Sequence, residues 1–210
     1  YKALLKEFPN YSRIDEVMFY LGRGLMSADK KKDGASYMLR LTKDYPKSKY
    51  VTDAYLAVAE YYFDQDLLFA AKTNYLKVLE NKESSQYPYA LYKLGYVHYN
   101  LKEYQDGIKA FQNVVELQKG NDKRKVYFTQ QAYSALVLCY AELDDGWKEA
   151  RDYYKKQGGR PLEIEYLEKI GGIFNKQDKT DDEIAVFEYL IGADKQAKTV
   201  PAYAERITAA

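Results

Sequence analysis

The chain has 210 residues, 47% of them hydrophobic and 30% charged, which is the composition of a folded chain rather than a disordered one. Its 32 basic and 31 acidic side chains leave a formal charge of +1, so no global field recruits nucleic acid or an anionic membrane. A single cysteine excludes an internal disulfide, and no apolar run approaches the ~20 residues of a membrane span.

Taken in chain order, apolar residues recur at steps of three and four, the period of a helix and not the alternation of a strand. The spacing predicts helices near 1–8, 13–28, 31–44, 49–64, 67–82, 87–101, 104–118, 126–143, 147–157, 162–176 and 180–192, with a last one starting at Pro201. Pro9 and Pro46 end the helices before them, because proline lacks an amide hydrogen and restricts the residue it follows. Gly158-Gly159-Arg160-Pro161 is the strongest internal break and reads as a turn between hairpins. The basic stretch Lys119, Lys123, Arg124 and Lys125 sits beside Gly120, Asn121 and Asp122 and reads as a solvated loop. The opening stretch Tyr1–Phe8 reads as the end of a helix without an initiator methionine, and the expectation is a segment excised from a longer protein.

The helices repeat in pairs. Met18-x2-Leu21-Gly22-x2-Leu25 with Gly34-x3-Met38 is followed by Tyr55-x2-Val58-Ala59-x2-Tyr62 with Ala71-x3-Tyr75. Leu91-x2-Leu94-Gly95-x2-His98 with Gly107-x3-Phe111 comes next, then Tyr133-x2-Leu136-Val137-x2-Tyr140 with Ala150-x3-Tyr154. The last is Leu167-x2-Ile170-Gly171-x2-Phe174 with Glu183-x3-Phe187. The small residues let the two helices of a hairpin approach closely, and the large ones fill the space on either side.

These anchors resemble the tetratricopeptide repeat family, whose unit of about 34 residues carries W-x2-L-G-x2-Y and then A-x3-F. The departures are Met, Leu or Tyr at the tryptophan anchor, Val137 at a small position and Glu183 at an alanine position. The resemblance implies an all-α, right-handed solenoid over residues 1–210, with about five hairpins near 13–46, 49–82, 87–120, 126–158 and 162–193 and partial helices at both ends.

Catalytic constellations are missing from the sequence. His98 is the sole histidine, so neither a two-histidine metal site nor a Ser-His-Asp triad can be assembled, and it reads as a packed core residue. Cys139 lies in an apolar helix and reads as a small hydrophobe. No nucleotide-binding glycine loop occurs, and Asp144-Asp145 and Asp181-Asp182 read as solvated helix starts. The expectation is a non-enzyme without cofactor or metal.

Tyrosine is the outlier, at 24 residues against 8 phenylalanines and one tryptophan. The resemblance implies that the first helix of each hairpin lines a concave groove. The face concerned carries Glu16, Phe19, Arg23 and Met26, then Asp53, Leu56, Glu60 and Phe63, then Tyr89, Tyr92, Tyr96 and Tyr99, with Gln131, Ser134, Leu138 and Ala141 from the fourth unit. The four tyrosines, at steps of 3, 4 and 3, form one stripe beside the core anchors Leu91, Leu94 and Gly95. Partner-binding candidates are therefore Phe19, Arg23, Leu56, Glu60, Phe63, Tyr89, Tyr92, Tyr96 and Tyr99, since tyrosine and arginine are enriched at binding hot spots. Some family members clamp a partner's terminal carboxylate with groove lysines and asparagines; Phe19, Arg23 and Tyr89 stand at those places here, so that clamp is missing.

The functional expectation is a scaffold holding a protein or peptide in this groove, which would suit a basic or an apolar segment. The alternatives are the helical region of a cell-wall enzyme whose catalytic domain lies elsewhere, and a homo-oligomerisation module. Pro46-Lys47-Ser48-Lys49-Tyr50 and Pro9-Asn10-Tyr11-Ser12 resemble bacterial cell-envelope repeat proteins, among them outer-membrane assembly lipoproteins, division coordinators and gliding-motility components. That resemblance implies a periplasmic location, with the cytoplasm as the alternative.

Overall fold

Helices joined by short turns can bury their apolar stripes only against one another, and the chain does so throughout. The computed structural model describes residues 1–119, 128–193 and 198–209, which form eleven helices and, among the described residues, no strand. They fall into two compact units, one of residues 1–101 and one beginning at Lys102. The basic loop expected around Lys119–Lys125 falls at the end of the seventh helix and beyond it, outside the residues whose side chains are described.

The first unit holds α1 (Lys2–Glu7), α2 (Ile14–Ser27), α3 (Lys31–Asp44), α4 (Val51–Asp64), α5 (Leu68–Leu79) and α6 (Tyr87–Asn100). Consecutive helices pack on one another. Met18, Ala35, Met38, Leu41, Ala54 and Val58 make one core cluster, and Ala59, Ala71, Tyr75, Ala90, Leu94 and Val97 belong to the next. The close approach expected at the small anchors is present. A Cβ on Gly34 would lie 2.6 Å from the Gly22 carbonyl oxygen and 2.5 Å from Met26 Cγ. Pro9 and Pro46 each follow the last residue of a helix cap, Phe8 and Tyr45.

Asp29, Asp66 and Asp178 each centre a Schellman cap that closes a helix. Asp29 has φ 61°, the Lys30 N–H donates to the Leu25 carbonyl at 2.8 Å and the Asp29 N–H to the Met26 carbonyl at 3.2 Å. The pattern recurs at Asp66, φ 58°, where the Leu67 N–H donates to the Tyr62 carbonyl at 2.9 Å. Left-handed backbone is costly for most L-residues, and Asp tolerates it better than others.

The second unit holds α7 (Tyr104–Lys119), α8 (Thr129–Tyr140), α9 (Gly146–Lys176), α10 (Thr180–Ala193) and α11 (Val200–Ala209). The break expected over 158–161 is tighter than a loop. Two helical stretches abut within α9 at Gly158 (φ −147°, ψ 19°) and Gly159 (φ 71°, ψ −162°), and only glycine enters the latter region without strain. Beyond it Glu163 is fully buried, with its Oε1 accepting from Arg160 Nη1 at 2.8 Å and from the Tyr189 hydroxyl at 2.6 Å. The same Schellman cap closes this helix at Asp178, where the Lys179 N–H donates to the Phe174 carbonyl at 3.0 Å. Gly171 lies against the Phe187 ring, so a Cβ there would sit 2.8 Å from two ring carbons.

Part of the tyrosine excess is core. Tyr140, Tyr154 and Tyr166 are buried, and the Tyr154 and Tyr166 rings stack at 4.4 Å with 11° between planes. Their hydroxyls are satisfied internally: Tyr154 donates to the Tyr133 carbonyl at 2.7 Å, Gln112 Nε2 donates to Tyr140 at 3.0 Å, and Gln130 Nε2 donates to Tyr166 at 2.5 Å. Trp147 is buried beside the Tyr189 ring at 5.8 Å.

Candidate functional site

The candidate face lies on the first helices of the hairpins in the first unit: α2, α4 and α6. On α2, Phe19 is only 5% exposed and stacks on Tyr50, with ring centroids 4.6 Å apart and 19° between planes. It joins α2 to the start of α4 and presents little of itself to solvent. Tyr20 meets the same Tyr50 ring edge-on at 6.0 Å, and the exposed Arg23 guanidinium lies 5.7 Å from the Phe19 centroid. Glu16 is held by Arg13 in an ion pair one helical turn away. A cavity of about 260 Å³, lined by Tyr1, Leu4, Tyr11 and Arg13 among others, shares Glu16 and Tyr20 with this face.

Between α4 and α6 the face is organised around one carboxylate. The hydroxyl of the fully buried Tyr75, on α5, donates to Glu60 Oε1. The Tyr89 hydroxyl donates to Glu60 Oε2 at 3.0 Å, and Lys93 Nζ stands 3.6 Å from the same oxygen. Lys93 also lies 4.0 Å from the centroid of the Phe63 ring, a cation–π contact. Burial first, and the facing Glu60 carboxylate after it, push the Tyr75 and Tyr89 hydroxyls well above the ordinary tyrosine value. Both stay protonated and act as donors.

Tyr92 and Tyr96, one turn apart on α6, meet edge to face at 5.1 Å and 85°, and the Tyr92 hydroxyl donates to that of Tyr96 at 3.2 Å. Tyr89, Tyr92, Tyr96 and Tyr99 are all half-buried, as are Leu56 and Phe63, which pack against the core cluster below them. The structure thus brings Glu60 and Tyr89 into direct contact, links Phe63 to Glu60 through Lys93 and pairs Tyr92 with Tyr96, while Phe19 and Arg23 form a separate group with Tyr50. Lys93, Tyr75 and Tyr50 were absent from the sequence-derived set. Lys93 follows Tyr89 by four residues and so shares its face, a signal the sequence did contain. Tyr75 sits in a second helix, and only the fold brings it under Glu60.

The one histidine, His98, is buried, and so is Cys139, whose thiol burial pushes up to about 12. No helix among the described residues is long and apolar enough to cross a membrane.

Comparison with known proteins accords with this architecture. The tetratricopeptide repeat family model matches residues 16–48 and 89–118, which span the first helical pair and α6 through most of α7. No curated protein sequence matches the chain. Among solved structures, the MamA protein is similar at 23% identity over 85% of this chain and 81% of that one, with a TM-score of 0.56. A tetratricopeptide repeat protein from Parabacteroides merdae is similar at 14% identity over 99% and 89%, with a TM-score of 0.50. The pilF protein of Pseudomonas aeruginosa is similar at 14% identity over 90% and 88%, again with a TM-score of 0.50. The family model supports tetratricopeptide repeats over those two stretches, and the solved structures support a fold of all-helical, tetratricopeptide-type hairpins.

Proposed function

We propose that this chain, built of tetratricopeptide-type hairpins, is a protein–protein interaction scaffold that holds a partner segment on the α2–α4–α6 face of its first unit. Tetratricopeptide repeats generally serve as scaffolds for protein partners, and non-catalytic ones. The observation that carries the reading is the aromatic stripe of α6, continued onto α4 by Phe63 through the Glu60–Tyr89–Lys93 junction. The α6 helix already buries Leu91, Leu94, Gly95 and Val97, so its half-buried tyrosines are a second face. Aromatic side chains covered by a partner contribute on the order of 2 kcal/mol each at a hot spot.

The test is the double change Tyr92→Ala with Tyr96→Ala, measured against a partner recovered by pull-down. Affinity should fall at least tenfold while the melting temperature holds, because the core face of α6 is untouched. Unchanged affinity in a folded double mutant would move the binding site off this face. A collapsed melting temperature would assign the tyrosines to the core. The Pro-x-Ser-x-Tyr step at Pro46–Tyr50 supports a bacterial envelope setting, which fractionation of the native cell would check. Light scattering that gave a dimer or larger species for the isolated chain would favour the homo-oligomerisation module instead.

A further inference from the structure

The second helices of the first unit's hairpins, α3 and α5, each turn one side away from the core. On α5 the core takes Ala71, Asn74, Tyr75 and Val78, and helical spacing puts Phe69, Thr73 and Leu76 opposite them in one row about 10 Å long. Phe69 is 73% exposed and Leu76 47%, while the Thr73 hydroxyl between them donates to the Phe69 carbonyl at 2.9 Å. The hairpin itself gains nothing from large apolar side chains on this side. On α3 the side opposite Gly34, Met38 and Leu41 carries Lys32, Ser36, Arg40 and Lys43, all exposed. Lys31 Nζ meets Asp64 Oδ2 at 2.9 Å, which sets the start of α3 beside the turn into α5, so the basic row of α3 runs alongside the apolar row of α5. Arg40 pairs with Asp44 in an exposed contact of little strength, and Lys32 and Lys43 make no ion pair among the described residues. Charge in this unit is divided by helix. The second helices α3 and α5 hold six cations and two carboxylates, whereas the first helices α2, α4 and α6 hold two cations and five carboxylates.

From this we infer a second docking surface on the α3–α5 side, which takes an acidic amphipathic helix of a partner protein. Apolar side chains of that helix cover Phe69 and Leu76, and carboxylates along its adjoining edge meet Lys32, Arg40 and Lys43. The inference is independent of the α2–α4–α6 face, since it uses other helices and the opposite sign of charge. The apolar row supplies the area removed from water, and the basic row beside it sets the sign of the partner and its register. A basic helix would bring like charges against Lys32 and Lys43, and a neutral one would leave them unmatched. An anionic lipid surface fits less well, because the exposed carboxylates of Asp66 and Glu80 border the apolar row at its two ends and would face the headgroups. A helix laid along two parallel rows avoids both ends.

A phage-displayed library of helix-forming peptides about 14 residues long, selected on the full chain, tests this. The expected winners carry apolar residues one and two turns apart and an excess of Asp and Glu. Their binding should fall at least about tenfold on Phe69→Ala, and as much on Lys32→Glu with Lys43→Glu. These positions are exposed, so the melting temperature should hold in both variants. Binding should weaken at least about fivefold between ~50 mM and ~500 mM salt. It should stay within about twofold of the parent on Tyr92→Ala with Tyr96→Ala, which separates this surface from the groove. A selection in which no enriched peptide responds to the α3 and α5 changes would overturn the inference, whatever binds in the groove. Responding peptides that are basic or neutral would overturn it as well. So would phosphatidylglycerol vesicles that bind the chain and release it on the same substitutions, which would make the occupant a lipid surface. A dimer seen by light scattering and dissolved by Phe69→Ala would make it a second copy of this chain, and would equally overturn the inference.

Discussion

Glu60 shows how much a single side chain on this face does for the fold beneath it. Tyr75 is buried and its hydroxyl has Glu60 as acceptor. Removing the acceptor strands a buried donor, which costs about 1–3 kcal/mol. Glu60→Ala should therefore lower stability in denaturant titration by that order, and Glu60→Gln, which keeps an acceptor oxygen, should lose less than half as much. Equal losses would mean that the charge facing Lys93, and not the hydrogen bond, is what matters. The sequence marked Glu60 as a partner contact because it shares a helix face with Leu56 and Phe63. It could not show that Tyr75, fifteen residues on and in another helix, reaches back to it. Helical periodicity reports the face a residue lies on and is silent on the side chains that arrive from elsewhere. The stripe Tyr89, Tyr92, Tyr96 and Tyr99 was legible for the same reason, since its members share one helix.

At the scale of elements, the hairpins followed directly from anchor spacing, and the closeness of their helices can be checked by substitution. Gly34→Ala forces a methyl against the Gly22 carbonyl and Met26, and overpacking of this kind costs on the order of 1–3 kcal/mol. Gly24, on the same α2, has open space around its Cα. Gly24→Ala should instead stabilise by up to about 1 kcal/mol through helix propensity. Thermal melts of the pair should shift in opposite directions, and shifts of the same sign would contradict the packing described. The Gly158-Gly159 break was legible as a break but not as an abutment of two helical stretches. Composition tells where a helix cannot continue, whereas the geometry of the join depends on what packs around it. Gly159→Ala should cost about 1–3 kcal/mol, because its backbone lies where residues with a Cβ are strained. A melting temperature equal to that of the parent would show that the join relaxes. The turn aspartates Asp29, Asp66 and Asp178 were unread in the sequence, since aspartate signals a helix start as readily as a left-handed cap.

Across the whole molecule the tyrosine count becomes a statement about pH. Burial raises the hydroxyls of Tyr75, Tyr89, Tyr140, Tyr153 and Tyr154 above their ordinary value near 10, and it raises the Cys139 thiol from 9.0 to about 12. Groups raised in this way favour the folded chain fully while the unfolded chain still holds its protons, below about pH 9. As the pH climbs, the unfolded chain ionises first and the stabilisation is lost. The melting temperature should be level from pH 7 to about pH 8.5 and drop steeply above pH 10. A profile flat to pH 11 would place these hydroxyls in contact with water. The sequence had pointed to tyrosine as a residue suited to both core and surface, and both uses occur, divided by which helix faces find a neighbour. Trp147, the only tryptophan, is buried in the second unit beside Tyr189. Excited tyrosines near it hand their energy to an indole that senses its own unit, while the far-ultraviolet helix signal counts every helix equally. The chain therefore carries a built-in test of cooperativity: indole emission and helix content that melt together describe one transition, and a lag between them resolves the unfolding of one unit from that of the other.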